Sequence, residues 1–205
     1  MFKKITVLLA MIAVAFSLHG CAGMADAMSK AAGIGVVKEE KSTFDGATIV
    51  TMSPAFLYSG KGMSSNSINL GARWSSKFPD HVVFQPTHSS SISSDGRAYV
   101  NISKLEVNID GEISSYDSTG LTKHDSSSYN TVSKTIYTES KGAVVLPFSV
   151  LQKMMAATDC RVRIYSSSGY EDSVFHVERI PGGQSAAKFS LKEFIARIES
   201  AKSAL

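Results

Sequence analysis

Two histidines stand directly beside an aspartate, in Asp80-His81 and His124-Asp125, in a chain rich in serine. An imidazole oriented by a carboxylate can take the proton of a nearby serine hydroxyl and create a nucleophile. Either pair therefore supplies two thirds of a hydrolytic triad. Neither selects a serine, because the chain has no Gly-x-Ser-x-Gly elbow and its serines cluster at 89–94, 126–128 and 166–168. Metal binding needs several imidazole, thiolate or carboxylate groups converging on one ion. His81, His88, His124 and His176 are scattered, with no i, i+4 pair, so no metal or other cofactor is expected.

Two short motifs fail on spacing. Gly60-Lys61-Gly62-Met63-Ser64-Ser65 lacks the earlier glycine of a phosphate loop, and glycine rather than serine or threonine follows the lysine. Ser185-Ala186-Ala187-Lys188 matches Ser-x-x-Lys, but its companion elements are absent and the segment reads as a linker leading into a helix. Cys160 sits in Cys160-Arg161-Val162-Arg163-Ile164, where alternation makes it a buried structural thiol rather than a nucleophile. Tyr165, Tyr170, Glu171, Asp172 and Phe175 surround an expected turn at Ser168-Gly169. Exposed, such a group suits contact with a protein or glycan; ordinary hairpin packing is the simpler reading.

The elements that must hold these residues are mostly strands. Leu105, Val107 and Ile109 alternate with Glu106 and Asn108, and Asp110-Gly111 follows as a hairpin turn. Val100 and Ile102 are out of phase with that set, which calls for a bulge near Ser103 and Lys104. Ile68, Leu70, Ala72 and Trp74 share a second strand face; His81 to Phe84 is a third candidate, stopped by Pro86. Asp45-Gly46 and Asp95-Gly96 are further turn candidates. Cys160 to Tyr165 and Ser173 to Val177 read as a late strand pair, and the serine clusters as loops. Ser149 with Gln152 and Ser190 with Glu193 resemble capping boxes. They would open helices over Val150 to about Ala157, packing Leu151, Met154 and Met155, and over the terminal segment bearing Leu191, Phe194, Ile195 and Ile198. The expected fold is α+β, a mainly antiparallel β-sheet with two helices in the C-terminal third.

The first residues carry an address. Lys3 and Lys4 precede an apolar run from Ile5 to Leu18, and Leu18-His19-Gly20-Cys21 closes it. A run of about fourteen residues is shorter than the roughly 20 needed to cross a bilayer, so residues 1–20 read as a removed signal peptide. The closing tetrapeptide resembles the lipobox of bacterial lipoproteins. That resemblance implies acylation of Cys21 with palmitate-type chains, cleavage before it, and a membrane as the first partner. Ala22, where an aspartate would retain such proteins in the inner membrane, implies sorting to the outer membrane. The other reading is an ordinary signal peptide cleaved nearby, leaving Cys21 and Cys160 free to pair. Residues 21–35 read as a tether, flexible or weakly helical, and 36–205 as one domain.

Removing residues 1–20 takes Lys3 and Lys4 and no acid, leaving 19 basic and 18 acidic side chains, a net +1 against +3 for the whole chain. A near-neutral domain has no electrostatic reason to seek phosphate backbones, so nucleic acid is excluded as a partner. These residues read as an acyl-anchored envelope lipoprotein whose periplasmic or surface domain is a binding or assembly module, with an envelope protein or glycan as partner. The alternative is an envelope-associated hydrolase acting on glycan, peptide or lipid; a largely structural surface-coat role is the third reading.

Overall fold

Ile68, Leu70, Ala72 and Trp74 are all buried on one side of a strand, as their spacing requires. The structure, a computed structural model, describes residues 27–59, 66–92, 98–175 and 186–203. After a helical turn at 27–31 (α1) come β1 (Val37–Lys41), β2 (Thr48–Ala55), β3 (Ile68–Ser75), β4 (His81–Ser91), β5 (Ile102–Ile109) and β6 (Glu112–Asp117). They are followed by β7 (Lys123–Ser126), β8 (Tyr137–Lys141), β9 (Val144–Pro147), α2 (Phe148–Ala156), β10 (Cys160–Ser166), β11 (Gly169–Val174) and α3 (Ala187–Ser203). The fold is α+β and mainly antiparallel, with α2 and α3 late in the chain.

A seven-stranded sheet runs β1-β2-β3-β4-β8-β7 with β9 also on β4, and a four-stranded sheet runs β11-β10-β5-β6. Register aligns Val50, Met52, Leu70, Ala72, Phe84 and Val144 on one face of the larger sheet. Leu105, Val107, Cys160, Val162 and Ile164 from the smaller sheet join the same core, as do Leu151 and Met154 of α2 and Leu191, Phe194 and Ile198 of α3. Full burial of one such side chain contributes about 1.5–3 kcal/mol, so helix faces and strand faces hold each other in place. The sheets are joined along both borders, through a bridge between Ser118 and Val144 and through Val174 N donating to Tyr58 O at 3.0 Å.

Asp110 (φ 50°) and Gly111 (φ 97°) form the two-residue turn between β5 and β6, both in the left-handed region a type I′ turn requires. The bulge falls at Ser103: Tyr165 pairs with Lys104 and Ser166 with Ile102, leaving Ser103 unpaired and both Val100 and Ile102 buried. Asp45-Gly46 lies inside the longer loop 42–47, and Asp95-Gly96 lies outside the described residues.

Several local signals were overridden by distant partners. Pro86 does not stop β4, which runs to Ser91. Its carbonyl accepts from Gly142 N at 2.9 Å, so its nitrogen faces the same gap, where β9 gives way to β8 and no ladder donor is needed. Gly142 allows this approach, since a Cβ there would lie 2.7 Å from Ile102 Cβ. Ser89 to Ser91 are strand residues opposite β8 rather than loop, and Ser126 ends β7. The late hairpin turns at Ser167-Ser168, and its second strand begins at Gly169 instead of Ser173, because polar outward residues find partners across the ladder.

Neither capping box forms. Helix α2 starts at Phe148 after Pro147, with no side-chain cap, and its first amide donates to Asp80 O at 2.8 Å. Helix α3 starts at Ala187, whose amide donates to Phe56 O at 2.9 Å, which leaves Ser190 buried inside the helix. Backbone carbonyls from other elements satisfy amides that a serine would otherwise have served. The described part of the tether is docked: Ser53 Oγ donates to Gly33 O at 2.6 Å, Gly35 N to Pro54 O at 3.1 Å, and Lys30 pairs with Glu193 at 2.7 Å.

Candidate functional site

Alternation in β10 sends Cys160, Val162 and Ile164 inward and Arg161, Arg163 and Tyr165 outward. Register then sets Asn108, Glu106 and Lys104 of β5 beside them on one flank, and Val174, Asp172 and Tyr170 of β11 on the other. The outer face of the small sheet is thus a lattice of charge and aromatic surface. Arg163 grips Asp172 with two hydrogen bonds, 2.5 Å from Nε and 2.9 Å from Nη2, and its guanidinium lies 4.3 Å over the Tyr170 ring. The Tyr165 and Tyr170 rings are 5.8 Å apart, and Lys104 Nζ sits 4.1 Å over Tyr165 while bonding Glu106 at 2.7 Å. Tyr165 OH donates to Glu106 at 2.9 Å.

The charges on this face sustain one another. Hydrogen bonds from Lys104 and then Tyr165 hold the Glu106 carboxyl below its usual range, the same Glu106 contact raises Lys104, and Asp172 raises Arg163. Beside them a cavity of about 610 Å³ is lined by Asn66, Glu106, Asn108, Arg161, Arg163 and Asp172, among others. Planar hydrogen-bonding groups and a half-exposed tyrosine suit holding a polar partner.

The aromatic and acidic group read from the sequence is divided by the fold. Tyr165, Tyr170 and Asp172 lie on the outer face, and Phe175 is buried in the core. Glu171 turns to the rim between the sheets, where it accepts from Ser67 Oγ and from Ile68 N at 3.1 Å. Beside it Asn66 Nδ2 donates to Asp172 O at 3.0 Å and to Ser173 Oγ at 2.7 Å. Arg163, Lys104 and Glu106, which complete the outer face, were missed. Their outward phase was legible, but the register that makes them neighbours was not.

The hydrolytic arrangement is met in outline and not in substance. His124 Nδ1 lies 3.2 Å from Ser140 Oγ, and its Nε2 lies 3.1 Å from Asn101 Oδ1. With Asn101 presenting its oxygen, Nε2 carries the proton and Nδ1 accepts the serine hydroxyl. Ser140, however, is 0% exposed, sits in a strand paired on both sides, and also accepts from Val100 N at 3.1 Å. No substrate carbonyl reaches it. Asp125 turns aside to accept from Ser126 N at 3.0 Å. At the other pair, Asp80 supplies the carbonyl that meets the first amide of α2.

Among the described residues no three of His, Cys, Asp and Glu gather where they would hold a metal ion. His88 Nδ1 is buried without a partner, and burial pushes its pKa down while Glu171 opposes the shift. Cys160 is buried, and burial pushes its thiol up to about 12, far from the thiolate a nucleophile requires. Cys21, the segment Gly60 to Ser65, His176 and Ser185 lie outside the described residues. No protein-family model, no curated protein and no solved structure matches this chain.

Proposed function

We propose that the chain is an acyl-anchored lipoprotein of the bacterial envelope, held at the outer membrane through Cys21, whose domain acts as a binding or assembly module. The observation that carries the reading is the sequence of Lys3 and Lys4, the apolar run Ile5 to Leu18 and the cysteine at its end. Two or three acyl chains hold a protein to a bilayer far more firmly than one, and confinement raises its effective concentration beside envelope partners. The outer face of β11-β10-β5-β6 offers the surface on which an envelope protein or glycan would be held. The hydrolase reading has less support, because the serine beside His124 is buried.

Mass spectrometry of the mature amino terminus tests the anchor: a diacylglycerol-bearing Cys21 is expected, and an unmodified cysteine or another start residue would sink the proposal. Crosslinking in intact cells, compared between wild type and C21A, tests the module. Capture of an envelope component by the anchored form alone supports it; empty capture together with turnover of an envelope substrate by the purified protein would favour the hydrolase.

A further inference from the structure

We infer that the end of the domain bearing Phe44 and Phe78 rests on the bilayer, with both rings in the lipid interface; this deepens the anchoring proposed above and depends on it. Phe44 is 100% and Phe78 69% exposed. They occupy neighbouring loops, 42–47 after β1 and 76–80 after β3, and flank one ion pair: Phe44 precedes Asp45, Phe78 follows Lys77, and Lys77 Nζ meets Asp45 at 2.7 Å. Thr48 N donates to Ser76 Oγ at 3.0 Å, Ser76 N to Thr48 O at 2.9 Å, and Trp74 Nε1 to Pro79 O at 3.1 Å. These bonds hold the loops in shape, so neither ring is sheltered by local collapse. Moving each ring from water into an apolar layer is favourable by about 1.5–3 kcal/mol, and two neighbouring rings act together.

Local charge does not oppose a lipid partner. Lys77 and then Ser42 hold the Asp45 carboxyl well below its usual range, so the acid beside Phe44 is compensated. Exposed Lys41 and Glu40 at the foot of the first loop offset each other. Cys21 lies six residues before residue 27, a span of at most about 20 Å. Lys30 fixes α1 to Glu193, and ten further residues of α3, about 15 Å, lead to the end where Lys202 covers Phe148 and Phe148 N meets Asp80 O. Phe78 stands two residues before Asp80, at that same end of α3. Leu121, 99% exposed, sits near the opposite edge, beside β7.

The test uses the mature lipidated protein reconstituted into phosphatidylethanolamine and phosphatidylglycerol vesicles, with and without bromine on the acyl chains. Trp74 is the single tryptophan and is buried, so its emission gives a constant background that also reports folding in every variant. F44W and F78W are expected to show blue-shifted emission that brominated lipid quenches, whereas L121W stays red-shifted and unquenched. Flotation with two unquenched indoles overturns this inference alone. Failure to float overturns the anchor and this inference with it. Quenching of L121W equal to that of F44W overturns the proposed orientation, and a blue shift without bromine quenching marks a ring buried against a second copy or another protein, which also overturns lipid contact.

Discussion

The domain carries two polar clusters built from similar side chains, and exposure separates them. Arg163, Asp172, Glu106, Lys104 and the tyrosines lie on an open sheet face, where each charge keeps both a partner and water. Ser140, His124, Asn101 and the Val100 amide form a chain of hydrogen bonds that reaches into a fully buried hydroxyl. The second cluster has the distances of catalytic machinery, yet it joins β7, β8 and the segment before β5. Distances alone did not distinguish a joint from a site; access did.

Breaking the buried cluster should cost most. S140A leaves the Val100 N–H without its acceptor, and an unsatisfied buried donor costs about 1–3 kcal/mol. The urea midpoint should fall accordingly, and an unchanged midpoint would show that the cluster supports nothing. A smaller effect is expected from pH. Burial makes the folded His88 imidazole harder to protonate than the unfolded one, so unfolding takes up a proton as pH falls below about 6.5. The stability tied to His88 is complete above that value and lost below it. H88Q should therefore flatten the change in urea midpoint between pH 7.5 and pH 5; equal slopes would remove His88 as the source. The least effect on stability is expected on the open face. R163A combined with Y170S should leave the urea midpoint nearly unchanged, since exposed pairs contribute little, while abolishing crosslinked capture of an envelope partner. Retained capture would move the binding surface elsewhere.

Much of the fold was legible because it is written locally. The spacing of Ile68 to Trp74, of Cys160 to Ile164 and of Leu191 to Ile198 fixed which face of each element is buried. Asp110-Gly111 specified its turn, and the phase break between Ile102 and Leu105 specified a bulge. What failed depended on distant partners. Pro86 is tolerated only because the chain opposite it changes strands, and both helices start on carbonyls of Asp80 and Phe56. The outer face of the small sheet was half visible for the same reason: Tyr165, Tyr170 and Asp172 cluster near one turn, but Lys104 and Glu106 come from a strand some sixty residues earlier, Glu106 standing 59 residues before Tyr165. The joint at His124 was hidden behind the wrong neighbour, since adjacent Asp125 suggested a partner that Asn101 supplies.

The docked stretch 27–35 has a mechanical corollary. A pull arriving along the chain from the amino-terminal side meets the half-exposed Lys30–Glu193 pair and the hydrogen bonds at Gly33 and Gly35 before it meets β1. These are weak, quickly reformed links. They part before the ladder between β1 and β2 does, and the load then passes to β1 at Val37.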